Sequence, residues 1–198
     1  MEKNNLQSIC TYLIEIVKEA NHIILAARLT PFTISTKNSR LCDAISYFLC
    51  SANGNIAVDI VTQTDKAVES FIRDRLEQRY PTFAVIGEET FKTAVAMTDH
   101  PTFIVDPIDG TSNFVHNFPA VCISIGLVIG MEQTVGVVYN PFYSELWSAV
   151  KGQGAFTFLP NRGTKRLPLS SSPLQGLGPA CIGIEWGSDC EVPILNST

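Results

Sequence analysis

The sequence has no dense cluster of lysine or arginine. Fourteen basic residues stand against nineteen acidic ones, which gives a formal net charge of −5. A chain with this balance lacks the positive surface that tracks a nucleic-acid backbone, so nucleic acid is not expected as a ligand. A long apolar run is also missing, because the least charged stretch, residues 115–131, is broken by Asn117, Pro119, Gly126 and Gly130. That stretch predicts strands and turns, and no membrane span is expected.

Three further absences narrow the class of protein. The N-terminal sequence MEKNNLQSIC lacks the basic-then-apolar order of a secretory signal. The six cysteines include no CxxC pair and no neighbouring histidine at metal spacing, and a disulfide framework is not expected in a chain this long and this apolar. No serine nucleophile elbow is present. We therefore expect a soluble, cytoplasmic protein with buried or idle thiols.

Hydrophobic periodicity predicts two amphipathic helices. Apolar residues make up 45% of the 198 residues, which is enough for the core of a single domain. Within residues 6–29 they recur at the 3.6-residue spacing of a helix, and Pro31 ends it. A second helix follows Thr64 or Asp65, either of which can cap it, and Pro81 stops it.

From residue 83 onward the hydrophobic pattern becomes that of strands. The runs FAVIGEE, TFIVD, VCISIGLVIG, TVGVVYN and ELWSAV are rich in β-branched and aromatic residues, with glycine, proline, asparagine or charged pairs between them. The GMEQT segment predicts a hairpin connection. Two helices followed by strands, without βαβ alternation, predict an α+β fold in which N-terminal helices pack on a mostly antiparallel sheet.

The stretch VDPIDGTSNF, residues 105–114, combines acidic and small residues on one bend. Asp106 and Asp109 stand around a proline, and Gly110 and Thr111 follow them. Asp-Pro and Asp-Gly are ordinary turn dipeptides, so a plain loop also explains this segment taken alone. Its small residues offer backbone N–H groups that a phosphate oxygen can approach.

Two other acidic segments accompany this bend. In IGEE, Glu88 and Glu89 follow a glycine at the end of an apolar run, where a strand can hold a ligand rigidly. In VDIVTQTD, Asp65 stands at the start of the second helix. Each has a simpler alternative, a solvated acidic turn for the first and a helix cap for the second.

Taken together, the three segments predict a site for a hard cation. Mg²⁺ takes oxygen ligands and is usually held by a few carboxylates and a substrate phosphate. Pro107 fixes its own φ and removes one competing donor. The Asp106-x-x-Asp109 bend can therefore aim both carboxylates and the Ile108 carbonyl at one region.

The combination of GEE, VDPIDGTSNFVHNFP and VDIVTQTD closely resembles the inositol monophosphatase family of metal-dependent, lithium-sensitive phosphomonoesterases. The likeness runs from the first helix to about residue 188, apart from residues 40–57. It implies a layered α/β/α/β fold and a Mg²⁺ cofactor for which Mn²⁺ can substitute. It also implies in-line attack of water on a small phosphate monoester, inositol monophosphate, within inositol metabolism and phosphatidylinositol signalling.

Carried over position by position, the resemblance implies a pair of metal sites. Glu88, Asp106 and the Ile108 carbonyl would ligate one ion, and Asp106 with Asp109 would ligate a second. The three histidines are left out of the site, and His116 is interpreted as a residue that packs or hydrogen-bonds the loop.

The resemblance also implies how substrate and water are held. The phosphate would bind four consecutive residues, Ile108, Asp109, Gly110 and Thr111. Thr111 and Glu88 would orient and deprotonate the attacking water, and Asp65 would hold the Thr111 hydroxyl.

Two features depart from the family pattern. Family members continue with a Trp-Asp-x-Ala motif that completes the second metal site, whereas the sequence after residue 189 differs, so we expect an incomplete C-terminal portion, weak cation binding and little turnover. Residues 40–57 are interpreted as an insert, either a surface loop or a short retained intron that is foreign to the functional fold. Two hypotheses stay open: a phosphatase, or a non-catalytic fragment that is either a metal-binding remnant or a partner of a full-length relative. A homodimer is expected only where the fold is complete.

Overall fold

The computed structural model describes residues 3–27, 34–38, 58–90, 98–169, 175, 176, 178 and 180. The interpreted insert at 40–57 and the sequence after residue 180 lie outside the described residues. In chain order the elements are α1 Lys3–Ala27, β1 Ile34–Asn38, β2 Val58–Thr62, α2 Gln63–Arg79, β3 Ala84–Gly87, β4 Thr102–Asp109, α3 Thr111–Val115, β5 Cys122–Ile129, β6 Glu132–Asn140, β7 Glu145–Val150, β8 Gly154–Leu159 and β9 Gly163–Leu167.

The elements fall into two units. β1 and β2 pair with each other as a two-stranded sheet in one unit, and the other contains the remaining helices and strands. Within the described ranges, no helix combines the length and the apolar character needed to cross a bilayer.

Both predicted helices are present. α1 buries a continuous apolar face, on which Leu13 and Ile16 are fully buried, and it packs against α2, β6 and β7. α2 packs against β3 and β4. It begins at Gln63, so the predicted capping position is wrong, and Thr64 and Asp65 lie inside its first turn. An acidic side chain there still interacts favourably with the exposed N–H groups of the helix start.

Strands β3 to β9 form one seven-stranded sheet in chain order. β3 and β4 run parallel, and each later neighbouring pair is antiparallel. Gly130 and Met131 both have positive φ and join β5 to β6, which confirms the predicted hairpin. The predicted α+β class, with helices packed on a mostly antiparallel sheet, is confirmed.

β8 and β9 are strands that the sequence pattern did not predict. β9 exposes Thr164, Lys165 and Arg166, so it has almost no apolar alternation. It holds its place by pairing with β8, from Ala155 against Leu167 onward. Charged residues on an edge strand also discourage pairing with another chain.

The core lies between the two long helices and one face of the seven-stranded sheet. Phe103, Val105, Ile123 and Ile125 point into it, at alternate positions of β4 and β5. The residues between them point to the other face, where Ile104 is 42% exposed. This second face carries the candidate site.

Candidate functional site

A β-bulge at the end of β4 brings Asp106 and Asp109 to the same face of the sheet. In a regular strand, residues three apart point to opposite faces. Here Asp106 pairs with Ser124 and Asp109 pairs with Cys122, so β4 uses one residue more than β5 over this stretch. The extra residue places the side chains of Asp106 and Asp109 on the same face of the sheet. Pro107 lies in the irregular stretch and is buried.

Gly110 makes the turn that follows the bulge. Its φ of 87° and ψ of 40° are left-handed, a conformation that glycine adopts without steric cost. A Cβ at this position would lie 2.7 Å from the Ala120 carbonyl oxygen, so the available space excludes a side chain as well. α3 starts directly afterwards, and the Phe114 N–H donates to the Gly110 carbonyl at 3.0 Å. The glycine of the motif is therefore required by the backbone itself.

Hydrogen bonds hold the segment around this turn. The Thr111 hydroxyl donates to the Ile108 carbonyl oxygen at 3.1 Å, while the Ile108 side chain is fully buried. The His116 Nδ1 lies 2.8 Å from the Ser112 carbonyl oxygen, which matches its interpretation as a loop-bonding residue. Asp65 is 1% exposed in the first turn of α2, and its implied bond to the Thr111 hydroxyl stays a prediction.

Glu88 approaches the same place from the neighbouring strand. β3 and β4 pair in parallel through Gly87 and Val105, and the Glu88 N–H donates to the Val105 carbonyl at 3.1 Å. The Glu88 carboxyl lies close enough to Asp106 for its charge to raise the pKa of Asp106. Parallel pairing therefore brings together two acidic groups that are well separated in sequence.

The surroundings of Asp106 disfavour the ionised form of its carboxyl group. Burial, followed by the charges of Glu88 and Asp109, the hydrogen bond with Glu88 and the charge of Asp65, raises the pKa of Asp106 to about 7. Its Oδ1 atom is buried and has no hydrogen-bond partner among the described residues. A buried oxygen of this kind is costly unless a partner satisfies it. The oxygen-rich donor set and the unsatisfied Oδ1 fit a hard cation.

Among the described residues, no three acidic, histidine or cysteine side chains form a ready metal cage. Mg²⁺ keeps several of its waters, so an incomplete set of protein oxygens is sufficient for it.

Cys122 is a neighbour of the site that sequence reasoning missed. Its Sγ donates to Asp109 Oδ2 at 3.4 Å, and burial, with the charge of Asp109, raises the pKa of the thiol to about 12. The group is therefore a protonated donor that helps to hold Asp109. Only the pairing of β4 with β5 could have revealed it. Cys10 and Cys122, the cysteines in the described part of the chain, are free thiols, as expected.

Asp106 opens onto a groove of about 830 Å³ on the sheet face that points away from the core. The groove crosses several strands, and much of its floor consists of small residues: Ser124, Gly126, Gly136, Ala149 and Ala155. Small side chains leave the surface low beside Asp106. Water and small solutes can therefore reach the carboxylate.

The fold and the site together define an α+β protein with an acidic, oxygen-donor site at the end of a sheet strand. The Inositol monophosphatase family model matches residues 5–189, and the chain belongs to this family. The resemblance seen in the motifs is thereby confirmed.

The chain is also similar to individual relatives with different names. The chain is 46% identical over 143 residues to "Inositol monophosphatase 3" of Solanum lycopersicum, covering 71% of this chain and 51% of that protein. It is 35% identical over 193 residues to "Quinic acid degradation cluster protein x" of Neurospora crassa, covering 93% and 55%. The crystal structure of an IMPase/NADP phosphatase complexed with NADP and Ca²⁺ is 25% identical with a TM-score of 0.61, covering 77% and 51%. The chain thus spans about half the length of the relatives it matches.

Proposed function

We propose that this chain takes part in the Mg²⁺-dependent hydrolysis of inositol monophosphate to inositol and phosphate. Membership of the inositol monophosphatase family supports the class of reaction. The solved relative that carries Ca²⁺ supports a hard divalent cation. The observation that carries the proposal is the buried, unsatisfied Oδ1 of Asp106 inside a cluster of carboxylates.

Four residues would hold the cations. Glu88, Asp106 and the Ile108 carbonyl would ligate one ion, and Asp106 with Asp109 would ligate a second, with Mn²⁺ able to replace Mg²⁺. A divalent cation bound here lowers the pKa of a coordinated water and neutralises charge on the phosphate. A carboxyl group must lose its proton to act as a ligand, so cation binding at Asp106, whose pKa is raised to about 7, would release protons.

The protein groups around the cations would position the reactants. Glu88 would accept a proton from the attacking water, and the Thr111 hydroxyl oxygen would orient that water. Asp65 would hold the Thr111 hydroxyl. The segment from Ile108 to Thr111 would bind the phosphate, and the absence of a side chain at Gly110 lets phosphate oxygens approach the backbone N–H groups.

The substrate, setting and partners are part of the same proposal. Inositol monophosphate is favoured by the name of the matched family and of the tomato relative, and the reaction would belong to cytoplasmic inositol metabolism and phosphatidylinositol signalling. The relative named for quinic acid degradation makes other small phosphate esters the substrates to test beside it. The alternative is a non-catalytic chain, either a metal-binding remnant or a partner of a full-length relative.

Phosphate release from inositol 1-phosphate at millimolar Mg²⁺ tests the proposal. We expect little turnover from this chain alone; any turnover should disappear in Asp106→Asn and be unchanged in Asp99→Asn, an exposed aspartate just before β4 that serves as the matched control. Turnover that survives Asp106→Asn would contradict the proposed mechanism. Cation binding without phosphate release, by this chain alone and in mixture with a full-length relative, would favour the non-catalytic alternative.

A further inference from the structure

A buried carboxylate stands behind the turn that carries Glu88. Glu69, on α2, is only 2% exposed. A charge buried to this degree is tolerated only when it is paired and hydrogen-bonded. Glu69 Oε2 accepts the Glu89 backbone N–H at 2.7 Å, and its Oε1 lies 3.4 Å from Arg73 Nη2, one helical turn later.

Arg73 extends this contact along the same turn. Its Nη1 donates to the Val85 carbonyl at 3.0 Å, and its Nη2 donates to the Thr90 hydroxyl at 2.6 Å. Glu69 and Arg73 therefore bind the chain before, within and after the Glu88–Glu89 pair. The planar guanidinium suits this task because its donors keep a fixed relative geometry.

The Glu69 carboxyl group packs directly against Gly87. A Cβ built on Gly87 would overlap the Glu69 carboxyl group. The glycine that precedes the two glutamates therefore leaves room for the buried carboxylate. Packing against Glu69 therefore explains why residue 87 is a glycine, without reference to a bound ligand.

The backbone of Glu88 is fixed on both sides as a result. Its own N–H donates to the Val105 carbonyl, and the next N–H, that of Glu89, donates to Glu69. The Glu88 side chain is exposed to solvent over much of its surface, and its charge acts on the Asp106 carboxyl. The Glu88 side chain can therefore still change rotamer, but its Cα position is fixed.

We propose that Glu69 and Arg73 are positioning residues that hold the 87–90 turn so that Glu88 faces Asp106 and the pair can bind a cation. This inference rests on the proposed function, because it assumes that Glu88 and Asp106 are cation ligands. Supporting groups of this kind commonly change metal affinity by about 10–100-fold when they are removed.

The test is calorimetric titration of the full chain with Mn²⁺. Glu69→Ala should weaken Mn²⁺ binding by about tenfold. Glu69→Gln should fall between it and the wild type, because its amide oxygen still accepts the Glu89 N–H while the ion pair with Arg73 is lost. The matched control is Glu77→Gln, which removes the other carboxylate near Arg73, 3.6 Å from its Nη1 and 55% exposed on the same helix. It should leave Mn²⁺ affinity unchanged.

Hydrogen exchange of the Glu89 amide in the metal-free chain supplies a readout that needs no cation. It should become faster in Glu69→Ala and Glu69→Gln, and remain as in the wild type in Asp106→Asn and Glu77→Gln. A variant in which α2 was merely destabilised would speed exchange along the whole helix, and that pattern would overturn the proposal.

Comparison with Asp106→Asn distinguishes failure of the positioning role from failure of the cation site. Weakened binding in Asp106→Asn with wild-type affinity in folded Glu69→Ala would overturn the positioning role and leave the cation site intact. Wild-type affinity in Asp106→Asn would overturn the cation site and this inference with it. Should Glu69→Ala fail to fold, the nearly isosteric Glu69→Gln decides: wild-type affinity and exchange overturn the proposal, and weaker binding with faster Glu89 exchange supports it.

Discussion

Asp106 and Asp109 lie on one face of the sheet, although they are three residues apart in β4. Their partners on β5, Ser124 and Cys122, are two residues apart, so a bulge absorbs the difference. The two carboxylates are thereby placed close enough for the charge of Asp109 to act on Asp106. Bulges are frequent beside functional sites because they re-aim side chains in this way.

The two aspartates should contribute unequally to cation binding. Asp106 is half-buried and carries the unsatisfied oxygen, whereas Asp109 is exposed and water can replace it as a ligand. Asp106→Asn should weaken Mn²⁺ binding by at least about tenfold, and Asp109→Asn should weaken it by less. Calorimetric titrations of both variants at the same pH check this order. A larger loss in Asp109→Asn would show that the exposed carboxylate is the main ligand.

The stability of the metal-free chain should fall with rising pH because of Asp106. Its pKa of about 7 in the folded chain lies above the unfolded value of about 3.9. The contribution of Asp106 to stability is therefore full below the unfolded pKa and is lost as the pH rises through the folded pKa. Asp106→Asn removes this loss, so the variant should gain in stability over the wild type between pH 5 and pH 8.

Urea denaturation with a chelator at pH 5 and pH 8 measures this difference. Asp99→Asn is the control, since Asp99 is an exposed aspartate just before the start of the same strand. A difference between wild type and Asp106→Asn that stays constant from pH 5 to pH 8 would mean that Asp106 titrates normally. Added Mn²⁺ should reverse the order at pH 8, because it stabilises only the chain that binds it.

Gly110→Ala should destabilise the fold by about 1–3 kcal/mol, the usual cost of a left-handed non-glycine residue. The φ of 87° and the close Ala120 carbonyl both oppose a Cβ there. Gly126→Ala is the matched control, because a Cβ at Gly126 meets nothing within 4 Å. It should be neutral or slightly stabilising, since glycine weakens a strand interior. Equal urea midpoints for the two variants would refute the geometric requirement at Gly110.

Deletion of residues 40–57 should leave Mn²⁺ affinity unchanged. This segment interrupts the likeness to the family in sequence, and long insertions cost little in loop-closure entropy. The comparison is a titration of the deletion variant against the full chain. A marked loss of affinity or of folding would assign the segment to the functional fold. RNA reads supply an independent check, because an insert of intronic origin would be missing from some transcripts.

Much of the fold follows from hydrophobic period alone. The long helices and strands β3 to β7 have clear 3.6-residue or two-residue patterns, and the GMEQT turn is local chemistry. Strands β8 and β9 were not predicted, because β9 is polar and is defined by its pairing with β8. The start of helix α2 was predicted too late because Gln63, its first residue, gives no strong sequence signal for a helix start.

The site shows the same division between local and long-range information. Short-range motifs identified Glu88, Asp106 and Asp109 as acidic candidates. The bulge, the thiol of Cys122 and the buried Glu69 depend on pairing between distant segments, which a single sequence does not contain. The Glu69 and Arg73 pair did carry one local signal, the four-residue spacing of opposite charges on a helix. That spacing is common on solvated helix faces and does not by itself indicate a buried role.

The most direct test of the account is a Mn²⁺ titration of the wild-type chain and Asp106→Asn, with Asp99→Asn as the control. The central claim is that a cation satisfies the buried Oδ1 of Asp106 within its carboxylate cluster. We expect saturable binding with proton release by the wild type and by Asp99→Asn, and at least about tenfold weaker binding by Asp106→Asn. Equal Mn²⁺ affinity for the wild type and Asp106→Asn would contradict it.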